Sequence, residues 1–371
     1  MAAEKMRKIV TLIALSSMML AGCTTSSALS QKEEPSYVTH YAQNHTETSV
    51  VVTRNGKTLV SYQAHKPRVL ASTMKVLVAL EYARQAAKGK LQPTERIPLA
   101  DLARYYVKGT DGGAHENWLH VMKERKEIVN ETVALESVAK GMIQFSSNAN
   151  TEYMMHRLGM QAVNNVRKWM NMPHQEPLYP FSSAVLIPTY YKEKHPKLSE
   201  RALYEHVKRL PPRQYRSLSE KLFKQIGKGK TFTHHVWNKQ FDALWGDRLP
   251  KGTAAEYAAL MRRLNAKKEF SKAMQTRLDA VMEGVMDHPR NQKWLRYAGQ
   301  KGGSTTTVAT NVVYATDKHG NHTEIVYFAE HVPERSYEKL TRNMNPWVVA
   351  ILRDEAFRKK VQSIQTGKKS E

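Results

Sequence analysis

The sequence runs to 371 residues with a formal net charge of +23 and a single cysteine. That length allows one large domain or two modest ones, and with no second thiol an intramolecular disulfide is excluded, so the core alone must stabilise the fold. The positive excess attracts anions in general, yet no nucleic-acid-binding motif accompanies it. Nucleic acid is therefore not an expected partner, and anionic lipid headgroups or cell-wall polymers are.

At the N-terminus Lys5, Arg7 and Lys8 form a short cationic segment. Ile9 to Leu20 then runs apolar except for Thr11, Ser16 and Ser17. The run is too short to span a bilayer and has the form of a secretory signal, with Met6 an equally good start. It ends Leu20-Ala21-Gly22-Cys23, which resembles a bacterial lipobox, in which the cysteine becomes the lipidated first residue. An ordinary cleaved signal with an incidental cysteine is the alternative. Residues 1–22 are thus expected to be removed, with Cys23 anchoring an exported protein to the membrane of the cell envelope. Thr24, where an Asp would signal retention at the inner membrane, points to the outer membrane or periplasm of a Gram-negative cell. Residues 23–36 read as a flexible tether, 37–361 as the folded domain and 362–371 as a basic, frayed tail.

Thr48–Thr53, then Arg54-Asn55-Gly56-Lys57, then Thr58–Tyr62 predict a hairpin with an Asn-Gly turn. Thr73–Ala87 contains no Gly or Pro and is apolar nearly all round, which predicts a buried helix. Leu99 to about Leu158 reads as helical, interrupted by a loop at Lys108–Ala114. Residues 190–250 are strongly basic and helical, and Thr253 is a candidate N-cap for a helix to Leu264. After Trp294 the pattern turns to strands, Thr305–Ala315 and Thr323–Ala329, with a helix Pro346–Val361 closing the chain. Strands at both ends with helices between predict an α+β fold, one antiparallel sheet built from both termini and packed against a helical body.

Ser72-Thr73-Met74-Lys75 carries the chemistry. Ser and Lys three apart on a helix share a face. A serine hydroxyl needs a base to become a nucleophile, and a buried lysine, its proton affinity lowered by desolvation, can be that base. A serine in the first turn also offers its backbone N–H to a developing oxyanion. Ser146-Ser147-Asn148, between two helical stretches, supplies a hydroxyl for proton relay and an amide; by itself it reads more readily as a helix N-cap. Lys301-Gly302-Gly303, immediately before the Thr305–Ala315 strand, offers a cation for a substrate carboxylate and close backbone approach, or simply a glycine-rich turn.

Together, in this order and these contexts, the three resemble the S-x-x-K, S-D-N and K-T-G set of class A β-lactamases and penicillin-binding proteins. The resemblance covers about Val50 to Arg358, with 190–250 as an insertion, and includes Phe145–Asn150 leading into a helix that ends Leu158-Gly159. It implies a β-lactamase/transpeptidase-like fold and a serine hydrolase working through an acyl-enzyme on Ser72. Lys75 would be the base, Ser146 the proton relay, Asn148 a substrate ligand and Lys301 the carboxylate anchor. Gly303 and Ser304 would complete the substrate site, with the N–H groups of Ser72 and Ser304 forming the oxyanion hole. The implied partner is a β-lactam or a peptidoglycan stem peptide, and a monomer without cofactor or metal is expected. The alternatives are a D-alanyl-D-alanine peptidase or esterase, or a penicillin-recognising lipoprotein without turnover.

Three departures bear on mechanism. Gly302 stands where the family has Thr or Ser, and Ser147 where it has Asp. The glutamate that frees the acyl-enzyme in class A enzymes is expected near Ser182, and the nearest acid is Glu176, which could serve if the loop is rebuilt. Other patterns are set aside: Lys251-Gly252-Thr253 precedes a helix, and His115 and His120 point about 140° apart on an ideal helix. Adjacent His234 and His235 diverge as well. These residues are expected on loops and the surface.

Overall fold

The computed structural model describes residues 33–232 and 236–365. The signal segment, Cys23, most of the tether, His234 and His235 lie outside the described residues. Among the described residues the strands are β1 (Thr48–Arg54), β2 (Lys57–Tyr62), β3 (Pro67–Val69), β4 (Arg96–Pro98), β5 (Thr132–Ala134), β6 (Lys251–Thr253), β7 (Leu295–Ser304), β8 (Ala309–Asp317) and β9 (His322–Ala329). They fall into two compact units: residues 33–73, 172–175 and 251–365 form the sheet unit, and residues 74–171 and 176–250 the helical unit. Among the described residues no helix is long and apolar enough to cross a membrane.

The sheet unit is built on five antiparallel strands in the order β2-β1-β9-β8-β7. It joins N-terminal to C-terminal strands, as the sequence predicts. The β1–β2 hairpin closes on Asn55 (φ 50°) and Gly56 (φ 79°), two successive positive φ values that match the twist of the strands. β1 and β9 are buried almost throughout because both faces of the sheet are covered. On one face Val50, Val52, Val313, Ile325 and Tyr327 pack with Tyr41, Leu340, Trp347 and Ile351 of the helices Ser36–Asn44 and Glu334–Arg353. On the other, the helix Ala254–Ala266 lays Tyr257 against Phe328, ring centroids 5.5 Å apart, and is capped by Thr253 Oγ1 on the Glu256 N–H.

Several boundaries differ from the sequence reading. The first helix begins at Ser36, inside the expected tether, and Ile364 is buried beyond the expected domain end. Pro346 does not start a helix but sits inside Glu334–Arg353. An interior proline costs about 3 kcal/mol, and here the stripe Tyr337, Leu340, Met344, Trp347, Val348, Ile351 supplies the packing that outweighs it. Asp354 then breaks the run and caps Glu355–Val361. Lys251-Gly252-Thr253 is itself strand β6, paired with β3, before its helix.

In the helical unit Lys75–Ala87 is the central helix, with Lys75 to Ala83 buried. It packs against Asn148–Leu158 and Met160–Trp169. The basic stretch forms the helices Ile187–Lys194, Glu200–Arg209, Pro212–Gly227 and Lys239–Asp247. Each of the middle two buries one stripe, Leu203 and Val207 in one, Tyr215, Leu222, Phe223 and Ile226 in the other. Their cations face outward, as a solvated face requires.

Candidate active site

The nucleophile candidate sits where a strand is forced into a helix. β3 ends at Val69, whose N–H donates to Glu330 Oε2 at 3.1 Å. Glu330 Oε1 also receives the buried Arg68 guanidinium at 2.9 Å, so one carboxylate fixes the chain just upstream of Ser72. Ala71 takes φ 45°, a left-handed conformation that a non-glycine residue adopts at a cost. The 3-10 turn Ala71–Met74 follows and runs directly into Lys75–Ala87. Thr73 donates both its N–H and its hydroxyl to Leu70 O, at 3.1 and 2.6 Å. The result leaves Ser72 half-buried while its neighbours Ala71, Thr73 and Met74 are fully buried.

The third motif lies in the same unit, and its placement corrects the sequence reading. Lys301, Gly302, Gly303 and Ser304 do not precede a strand but form the end of β7, the edge strand, opposite Val312, Asn311, Thr310 and Ala309 of β8. Glycines depress strand propensity, which hid β7 from the pattern. Gly303 is required by contact. A Cβ there would sit 2.6 Å from Ser72 N, 2.9 Å from Leu70 O and 2.5 Å from Thr310 Oγ1. The Thr310 hydroxyl lies 2.9 Å from Leu70 O and 3.2 Å from Gly303 O, pinning the Ser72 turn to the sheet edge. Gly302 has no such constraint, its nearest neighbour being 3.8 Å from a Cβ. Lys301 is 1 % exposed, donates to Gly302 O at 2.6 Å, and burial pushes its ammonium down to about 7.

The helical unit brings Lys75 together with the second motif. Lys75 is fully buried, and its Nζ donates to Ser146 O at 2.6 Å and Asn148 Oδ1 at 2.8 Å, with Ser146 Oγ at 3.3 Å. Phe181 lies against it, its ring centroid 5.6 Å from Nζ. Ser146 gets this position from a π-helical turn, Gly141–Phe145, ended by its own φ of 69°; such turns recur at functional sites. Ser147, not Ser146 or Asn148, is the N-cap of Asn148–Leu158, accepting from the Asn150 N–H. The capping and catalytic readings therefore fall on different residues of one motif.

Two carboxylates near Lys75 were not legible in the sequence. Asp111, from the Lys108–Ala114 loop, accepts from the His115 N–H at 3.2 Å and the Asn148 N–H at 3.4 Å. Burial raises it and the Lys75 charge lowers it, with a net upward shift. His115 is a second correction: it is 3 % exposed, not a surface residue, and its Nδ1 lies 3.0 Å from Ser147 Oγ. Burial pushes it down to about 4, so it is neutral near pH 7. The loop and His115 thus hold the motif in place of the missing Asp side chain. Glu152 is the other carboxylate, fully buried and bound by the Ser183 N–H at 2.8 Å and the Ser183 hydroxyl at 2.5 Å. Glu176, the sequence candidate for deacylation, instead pairs with Arg216 at 2.7 Å.

Burial raises the Glu152 carboxyl from 4.5 to about 7. The folded chain therefore binds this proton more tightly than the unfolded chain. Stability from this group is complete below about pH 4.5 and is lost as pH rises through about 7, on the order of 3 kcal/mol. Glu152→Gln is expected to gain Tm relative to the parent between pH 5 and pH 8; a Tm difference flat across that range in thermal unfolding would contradict the shift.

The family model described as "Beta-lactamase enzyme family" matches residues 32–343. The chain belongs to that family. Its structure is similar to a β-lactamase from Burkholderia vietnamiensis, with 12% identity over 88% of this chain and 100% of that one, TM-score 0.52. It is similar also to β-lactamases from Sphaerobacter thermophilus (15% identity, 85% and 96% covered) and Chitinophaga pinensis (15% identity, 85% and 97% covered), each with TM-score 0.50. At these identities the likeness establishes the shared α+β fold. No curated protein sequence matches the chain. As a family member the chain carries a serine hydrolase fold.

Proposed function

We propose that the chain is a serine hydrolase acting through an acyl-enzyme on Ser72, with a β-lactam or a related cell-wall acyl-peptide as substrate. The observation that carries this reading is the buried Lys75 amine held by Ser146 and Asn148, three residues after a half-buried serine. Ser72 Oγ attacks the carbonyl carbon of the substrate amide and its proton passes to Lys75. The C–N bond then breaks, with the proton delivered to the departing nitrogen through Ser146, leaving an ester on Ser72. Lys301 anchors the substrate carboxylate, Asn148 its amide, and the N–H groups of Ser72 and Ser304 take the oxyanion. Export and a Cys23 lipid anchor complete the reading, resting on residues 1–23 of the sequence.

A second reading, a penicillin-binding protein or D-alanyl-D-alanine peptidase with a long-lived ester, is favoured by the Glu176–Arg216 pair and by Ser182 at the expected glutamate position. Intact-mass spectrometry of the full chain after addition of a penicillin separates the two. A mass gain of one penicillin that persists for hours supports the second reading. A gain that vanishes while the drug is consumed supports the first. Ser72→Ala is expected to show no gain, and a gain that survives this change would overturn both.

A further inference from the structure

Resting on the reading of Lys75 as base, we propose that Glu152, held by Ser183, is a positioning residue that sets the charge of Lys75 and so the pH at which Ser72 is acylated. Glu152 and Asn148 lie four residues apart on the helix Asn148–Leu158 and share a face. Asn148 Oδ1 holds Lys75 Nζ at 2.8 Å. The hydrogen bonds to the Glu152 carboxylate come from the Ser183 N–H and hydroxyl and from the Ser182 N–H, so its donors are neutral, and the cation acting on it is Lys75. In a fully buried site this interaction is weakly screened.

The segment Phe181–Ala184 explains the arrangement. Class A spacing puts the deacylating glutamate near Ser182 on this segment. Here the segment supplies a hydroxyl, at Ser183, and the carboxylate comes from the facing helix. Phe181 of the same segment closes over Lys75. The other titratable groups around the pair are accounted for. Asp111 acts on Lys75 from the loop before Ala114–Glu124, with its Oδ2 held by two backbone N–H groups. Glu152 itself acts on Tyr105. His115 is neutral beside Ser147, and Glu81, on the helix of Lys75, is bound by Arg84. Glu152 is the buried acid on the face that holds the amine.

The sign follows directly. Where Glu152 is ionised, above about pH 7, its charge favours protonated Lys75, and removing that charge lets the amine release its proton at lower pH. Acylation rates of the full-length protein with a penicillin, from quenched intact-mass time courses between pH 5 and 9, are the readout. Glu152→Gln is expected to move the acid limb down by about one pH unit, raising the rate on that limb about tenfold. Ser183→Ala, which weakens the hold on the ionised carboxylate, is expected to move it the same way by less. A limb that stays in place or moves up in folded E152Q overturns the proposal, as does an unmoved limb in S183A should E152Q not fold. If the parent protein is not acylated at all, the reading of Ser72 fails, and thermal unfolding of K75M, E152Q and the double variant then decides the coupling. Non-additive shifts sustain it; additive ones overturn it.

Discussion

Lys75→Ala is expected to slow acylation of Ser72 by a penicillin by about 10²–10⁴-fold, the range for loss of a positioned general base. The ammonium is the donor to Ser146 O and Asn148 Oδ1, so the change also leaves two buried acceptors without it. That costs stability of about 1–3 kcal/mol. The two consequences are separable: circular dichroism and thermal unfolding report the second, and the acylation rate of the still-folded variant the first. A folded Lys75→Ala chain acylated within a few-fold of the parent rate would remove Lys75 from the mechanism.

Adjacent glycines in β7 should behave in opposite ways. Gly303→Ala puts a methyl group 2.6 Å from Ser72 N and 2.9 Å from Leu70 O, both backbone atoms that cannot rotate away. The Ser72 turn or the strand edge must shift. Overpacking of this kind costs about 1–3 kcal/mol, and a displacement near 1 Å at a nucleophile can cost about 10²-fold in rate. Gly302→Ala places its methyl group no closer than 3.8 Å to its nearest neighbour, and neither Tm nor acylation should change appreciably. By the same space the Cβ of Gly302→Thr, which restores the hydroxyl expected from the family, is accommodated. Equal effects at the two positions, measured by thermal unfolding and acylation rate, would contradict the close seating of Ser72 on β7.

Those contrasts show where the sequence was readable. The Asn55-Gly56 hairpin was legible because its turn type demands positive φ at two successive residues, and Asn-Gly meets that demand. The helix that starts at Lys75 was legible because an all-round apolar pattern has one physical outcome, burial. Ser146 and Asn148, which the motifs singled out, hold Lys75, yet Glu152 and Ser183 stayed hidden. Their partnership is made across 31 residues by tertiary packing, and no local pattern distinguishes a buried Glu from the many exposed ones. Asp111 was concealed in a glycine-rich loop, and His115 was read by its imitation of a metal motif when its real role is packing and a hydrogen bond to Ser147. β7 was obscured by its glycines, and Pro346 by the usual meaning of proline as a helix start. In both cases long-range contacts overrode a correct local preference.

Peptide mapping of the full-length chain after exposure to a penicillin bears most directly on whether Ser72 is the acylated nucleophile. Proteolysis at low pH, which preserves the ester, should place the added mass on the peptide that carries Ser72, with fragmentation assigning it to that side chain. An adduct on any other residue, or no adduct under conditions where the protein remains folded, would contradict the mechanism at its root.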